Sequence, residues 1–374
     1  MKKKLIIIFL IILIVCLIGV FFLSAGEEGE RNTFYGLGAG ASNTSEGYFN
    51  TFIGNYAGCY NTSGDCNTFI GDNAGLKNTN GQFNTFVGSG AGSNNTEGNN
   101  NIFIGQDTGC NNAIGYNNTF LGINAGNNNI EGYSNVLLGY QAGYNGQKII
   151  KNIMIGDHSG YYNNKYGNIF IGSESGFNNN GARNILLGQY AMQNNTEGDY
   201  NVCIGTFAGQ NNVTGSRNVF IGAKAGMNET GSNKLYIANT SSKTLIYGDF
   251  KENKVGINTT NPQGTLDVNG EIYQRGSQLH ADYVFENNYN LESIEEHAEY
   301  MWSNKHLKAV PKASKDKDGY EVVNVGSHRR GIVEELEKAH IYIDQLNDIN
   351  KKQDDYIKTL EERLSKLEEL LKDK

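Results

Sequence analysis

Six histidines and five cysteines are the side chains of this sequence best suited to chemistry, and their spacing decides whether they are used. A metal site needs Cys or His at ligand spacing, and a nucleophile needs a base beside it. His158 and His280 stand alone, while His297, His306, His328 and His340 fall in the charged C-terminal stretch without cysteine partners. They read as solvated or capping residues. Glu46, Glu97, Glu131 and Glu197 occur singly, whereas glycoside cleavage needs two carboxylates across one bond. The glycine-rich GLGAGAS at Gly36–Ser42 recurs as part of a repeat and makes no phosphate loop. The expectation is a chain that is not an enzyme, with no catalytic, cofactor-binding or metal-binding residue. One covalent candidate remains: Cys59 and Cys66 bracket the turn in NYAGCYNTSGDC, as a disulfide in an exported chain or as two half-buried free thiols. Cys203 replaces an apolar repeat residue and reads as a core thiol.

The framework that holds these residues is a repeat. From Asn32 to about Ser232 the chain restarts at Asn32, Asn50, Asn67, Asn84, Asn101, Asn118, Asn135, Asn152, Asn168, Asn184, Asn201 and Asn218. The unit NTFIGDNAGLKNTNGQF (Asn67–Phe83) is typical: asparagine, an apolar pair, glycine, a small residue with glycine, then an Asn/Thr/Gly-rich turn. A period of about 17 residues is too short for a helical hairpin and suits one coil of a β-solenoid. Twelve coils stacked about 4.8 Å apart would extend about 58 Å. Phe34, Phe52, Phe69, Phe86, Phe103, Phe120, Phe170 and Phe220 then form one ladder, and Tyr35, Ile53, Ile70, Val87, Ile104, Leu121, Ile171 and Ile221 the next.

Adjacent strand residues point to opposite faces, so both faces of this strand are expected to be buried. Either one ladder fills the coil while the other meets a partner chain, or loops of the same chain cover the outer ladder. The glycines after the strands predict positive φ or close backbone approach, and the restart asparagines predict amides stacked between coils. Thr33, Thr51, Thr68, Thr85 and Thr119 make a partial ladder, too broken to favour ice binding.

These residues resemble the YadA-like head of trimeric autotransporter adhesins, whose repeats also carry an apolar strand ending in Ile-Gly, and the related "TFIG..AG.N" arrays of bacterial surface and tail-fibre-like proteins. The likeness covers about 200 residues, although the repeat is a few residues longer than the usual head repeat. It implies a left-handed parallel β-roll assembled as a homotrimer.

Glycine is abundant at 48 residues, yet only 2 prolines and 11% aromatic residues exclude both collagen and ordinary disorder. A formal charge of -8 and an array without clustered Lys/Arg exclude a nucleic-acid partner. Lys2–Lys4 precede an apolar run, Leu5–Leu23, which includes Cys16 and is followed by Glu27, Glu28 and Glu30. This marks 1–25 as a signal peptide or membrane anchor and places the array at the cell surface or outside the cell.

The array (26–232) gives way to a β neck (233–275), with strands expected at Leu235–Ala238, Thr244–Tyr247, Lys254–Ile257 and Thr265–Val268. VGINTTNPQGTLDVNGEI (Val255–Ile272) resembles the segment joining fibre shafts to C-terminal regions in bacterial and phage fibre proteins, with Asn258 in place of a usual glycine. A small mixed cap follows (276–330), in which Ser293 and Glu296 form a capping box and Ile294, Ala298, Met301 and Trp302 are expected inward. HADYVFENNYNLESIEE (His280–Glu296) resembles the cap found with the same neck, and its start distantly resembles the self-cleaving chaperone domain of phage tail fibres. Ala281 and Glu286 stand at that motif's Ser and Lys, so no self-cleavage is implied.

From 331 to 374, Leu336, Ala339, Ile343, Leu346, Asn350, Gln353, Ile357, Leu360, Leu364, Leu367 and Leu371 keep the three/four spacing of a coiled coil. Asn350 and Gln353 make a polar layer in it, and a trimer is expected. The functional expectation is an exported trimeric fibre whose exposed turns contact a glycan or matrix protein. The alternatives are a structural envelope spacer and a tail-fibre-like protein.

Overall fold

The computed structural model describes residues 31–272, 281–315, 317, 319 and 321–372. The apolar run Leu5–Leu23, with Cys16, lies outside the described residues, among which no helix is long and apolar enough to cross a membrane. The chain forms two compact units, Met1–Gly270 and Glu271–Lys374.

The first unit is a parallel β-solenoid. Each coil contributes one three-residue strand, from β1 (Thr33–Tyr35) through β6 (Thr119–Leu121) to β12 (Val219–Ile221), and each strand pairs in parallel with the next. Register is strict, with Phe34 opposite Phe52 and Phe103 opposite Phe120. Stacked ring centroids lie 4.8 Å apart from Phe52 to Phe120, so each coil is spaced from the next by a flat aromatic contact. Strands β13 (Lys234–Ala238), β14 (Thr244–Asp249), β15 (Lys254–Ile257) and β16 (Leu266–Val268) extend the same sheet, β14 running antiparallel to both neighbours. All four expected strands are present, within two residues at each end.

Phenylalanine and the small residue five positions later fill the coil: Phe52 with Ala57, Phe69 with Ala74, Phe120 with Ala125, all fully buried. Where Leu186 and Cys203 replace phenylalanine, Met192 stands at a position that is glycine in the other coils and is itself fully buried. Ile149 does the same beside Leu137, replacing the glycine of the turn. Interior volume is thus conserved between coils that differ at both positions, as close packing requires.

The glycine after each strand has no room for a side chain. Gly122 sits at φ 136, and a Cβ there would lie 2.4 Å from the carbonyl oxygen of Gly139 in the next coil. Gly122→Ala is therefore expected to cost about 2 kcal/mol or more, from strain at positive φ plus the clash. A melting temperature equal to that of the parent would show that the corner can relax. The restart asparagines, although Asn tolerates positive φ, do not adopt it. It falls one residue earlier, as at Cys66 (φ 57), Phe83 (φ 57), Arg183 (φ 58) and Tyr200 (φ 59). The asparagine itself is buried, its side chain bonded to the neighbouring coils.

In the second unit, a 3-10 turn (Asp282–Phe285) precedes α1 (Ile294–Asn304), and β17 (Ser314–Lys315) pairs with β18 (Glu321–Val322). The capping box is formed: the Ser293 hydroxyl accepts from the Glu296 N–H at 3.1 Å, and the Glu296 carboxylate accepts from the Ser293 N–H at 3.0 Å. Trp302 was expected inward but is 65% exposed, with the Lys305 ammonium 4.9 Å over its ring. Helix α2 (Val325–Lys372) begins ahead of Gly331 because Asn324 accepts from the Ser327 N–H at 2.9 Å and caps it earlier.

Candidate functional site

Each strand buries its central residue and turns its two neighbours outward. On the outer face Tyr35 is 68% exposed, and Ile53, Ile70, Ile104, Leu121, Ile171, Ile204 and Ile221 are also exposed. The outer ladder thus lies open in the single chain, and of the two alternatives, cover by loops of the same chain is not seen among the described residues. The neighbouring outward column begins as Thr51, Thr68 and Thr85 and becomes Val136, Ile153, Ile169, Ile185, Val202 and Val219. The face therefore grows more apolar towards its C-terminal coils.

Several turn residues are part of the core. Asn61, Asn78, Asn95, Asn112 and Asn129 are fully buried, each side chain donating to the one before it, at 2.7 Å from Asn78 to Asn61 and 3.1 Å from Asn129 to Asn112. This second amide ladder was legible only as turn composition. Burial keeps the Asn43 and Asn61 amides, each first in an Asn-x-Ser triplet, from accepting a glycan, whereas Asn228 of Asn228-Glu229-Thr230 is exposed. What the turns do present includes Phe83, Glu131 with Lys148 at 3.2 Å, and the exposed Asn228.

Cys59 is buried, Cys66 is half-buried, and both are free thiols. Burial raises the thiol pKa of Cys59, and of the fully buried Cys203 far more, so neither is activated as a nucleophile. Asn350 and Gln353 lie exposed on α2, in line with the exposed Leu346, Ile357 and Leu360.

Among the described residues, ionisable side chains gather in the second unit. Leu336 and Ile343 leave one face of α2 open, while Gly331, Glu335, Lys338 and Tyr342 on the opposite face are buried. Lys338 Nζ lies 3.0 Å from Glu334 and 3.4 Å from Glu335. The Ala309 N–H donates to Glu335 at 2.7 Å. His297 stands between Glu292 (2.9 Å) and the far oxygen of Glu335 (3.4 Å), an oxygen with no hydrogen bond of its own. Lys308 reaches Glu292 at 2.6 Å, Tyr342 donates to the Glu292 carbonyl at 3.0 Å, and the Tyr283 and Tyr289 hydroxyls both donate to Glu334. The charges satisfy one another around the first turns of α2, so the cluster clamps the cap to the helix.

That clamp should be acid-sensitive. Burial would raise the Glu334 carboxyl pKa, but hydrogen bonds from Tyr283 and Lys338 outweigh it and hold it below the usual value of 4.5; Glu292 behaves likewise through Lys308 and His297. A carboxyl lowered on folding contributes stability above its unfolded pKa and loses it as pH falls through the folded one. The second unit is expected to keep its melting temperature from about pH 7 to about pH 5 and to lose it below about pH 4, with Glu334→Gln flattening the loss. A melting temperature independent of pH down to about pH 2 would remove these carboxylates from the clamp.

Among the described residues no group of three or more His, Cys, Asp or Glu side chains is placed to hold a metal ion. Comparison with known protein families, with curated proteins and with solved structures yields no match for this chain.

Proposed function

We propose that this protein is an exported, noncatalytic fibre, assembled as a parallel homotrimer, that contacts another surface through the exposed turns of its solenoid. The observation that carries this reading is the outer ladder, an apolar row in which the described residues leave Tyr35, Ile53, Ile70, Ile104, Leu121, Ile171, Ile204 and Ile221 exposed and Val87, Leu138, Ile155 and Leu187 half-buried. Continuous apolar patches of this extent mark interaction surfaces. The second support is α2, whose Leu336, Ile343, Leu346, Ile357, Leu360, Leu364 and Leu367 are all exposed at coiled-coil spacing. Asn350 and Gln353 in that seam would select register at some cost in stability. The resemblance to YadA-like heads supplies the number three, and Leu5–Leu23 the route of export and the attachment to a membrane. The partner is then a glycan or a matrix protein bound weakly by each of three copies.

The two ladders now make separable predictions. Ile171→Asp is expected to disperse the trimer while leaving the solenoid folded, because Ile171 is 40% exposed in the single chain. Light scattering of the full-length chain in mild detergent should give three copies, and fewer for the variant. A parent protein that scatters as a monomer at micromolar concentration would remove the trimer. Cells carrying the anchored chain should adhere to a glycan- or matrix-coated surface. If deletion alters envelope spacing and never adhesion, the spacer reading replaces this one.

A further inference from the structure

The two positions that follow the small residue and glycine of a coil are mostly small or polar, as with Ser93 and Asn94, Cys110 and Asn111, or Asn127 and Asn128. In the next three coils the same two columns read Tyr144 and Asn145, Tyr161 and Tyr162, then Phe177 and Asn178. Tyr144, Tyr161 and Phe177 stack face to face at 5.2 and 5.0 Å. Stacking along the coil axis accounts for those three rings. It does not account for Tyr162 and Tyr140, each 47% exposed. Tyr162 meets Tyr161 at 74° and Phe177 at 84°, so its plane runs along the solenoid and a ring face is open to the side. On the other side of the stack, His158 lies 5.4 Å from Tyr161 and 5.2 Å from Tyr140, which it meets at 75°.

The rim of this patch is polar and acidic. Asp157 holds His158 Nδ1 at 3.0 Å, and Gln193 donates to Glu174 at 2.6 Å. Aromatic faces without a deep cavity, bordered by carboxylates and amides, suit a ligand that is apolar on one side and rich in hydroxyl donors at its edge. A sugar ring has that form. The carboxylates accept from its hydroxyls and repel anionic glycans.

We propose that Tyr140, His158, Tyr161 and Tyr162, with Asp157 and Glu174 at the rim, bind an uncharged glycan, a hexose or N-acetylhexosamine chain lying along the solenoid. This deepens the contact reading and rests on it. The test uses the full-length chain in mild detergent against immobilised neutral, sialylated and sulfated oligosaccharides, alongside adhesion of cells that carry it. Neutral sugars should be retained preferentially, and Tyr162→Ala and Tyr140→Ala should each weaken them about tenfold or more. Tyr60→Ala, in the column of Tyr162 but coils away and also exposed, should leave binding unchanged. All three rings are exposed, so unaltered melting separates lost binding from lost folding. Neutral-glycan binding indifferent to Tyr140 and Tyr162, or a preference for sialylated or sulfated chains, overturns this site while leaving the contact function standing. Adhesion to a protein-coated surface that Tyr162→Ala abolishes, with no sugar retained, overturns the glycan in favour of a protein partner. Absence of both glycan binding and cell adhesion overturns the contact reading with it.

Discussion

Phe120→Asp is expected to unfold the solenoid around its site, the largest effect of any single substitution proposed for this chain. Phe120 is fully buried, stacked 4.8 Å from Phe103 and paired across the sheet with Leu137. Truncating a buried phenylalanine costs about 3–5 kcal/mol, and a carboxylate placed in the same space must be desolvated or protonated as well. Each coil is stabilised through its two neighbours, so the loss spreads to the adjacent coils. Phe120→Leu is the informative control: leucine already occupies this position as Leu137 and Leu186, and the expected cost is about 1–2 kcal/mol. Denaturant unfolding of the three proteins checks the order. A midpoint for Phe120→Asp within error of the parent would mean that the phenylalanine ladder is not the core.

Asn118→Ala should produce the second largest effect, although it exchanges one small residue for another. The Asn118 side-chain oxygen accepts from the backbone N–H and the side-chain amide of Asn135, at 3.1 and 2.9 Å. Its amide donates to the Asn101 side-chain oxygen at 3.1 Å and to the Gly132 carbonyl at 2.8 Å. Alanine leaves the buried Asn135 N–H without its acceptor, a loss worth about 1–3 kcal/mol, whereas the Gly132 carbonyl keeps the bond from Asn129 at 3.2 Å. Leucine should rescue nothing, since volume is not what is missing. Hydrogen exchange at the Asn135 amide offers a local readout, expected to lose protection before the rest of the coil. Retained protection together with a stability change under about 0.5 kcal/mol would show that water or a shifted neighbour replaces the amide.

These two residues also mark how far the sequence alone could be read. Phe120 declared itself because stacked coils repeat what they bury. A period of about 17 residues with phenylalanine two places after most restart asparagines leaves little but a solenoid with that ring inside. The strands from Lys234 to Val268, the Ser293–Glu296 capping box and the α2 spacing were legible for a similar reason, since each depends on residues close in the chain. Asn118 was half legible: its recurrence implied stacking, but not that its oxygen would cap a backbone N–H in the following coil.

The second ladder, Asn61 through Asn129, was read as turn, because an Asn-rich stretch is polar whether its amides face water or one another. Only the stacked coil supplies the partner at 2.7 Å that makes burial affordable. Met192 and Ile149 became core through the volume missing from Leu186, Cys203 and Leu137, a quantity that belongs to neighbouring coils. Trp302 turned outward, and Lys338 turned inward against its usual preference: Glu334 and Glu335 pair with it from the preceding turn of the helix, and Tyr289 and the Ala309 N–H, remote in the chain, close over them. Local period and composition determined the coil, its ladder and the helices. Which polar groups are buried, and which apolar face stays open, depended on contacts between residues far apart in the chain, and folding alone brings those together.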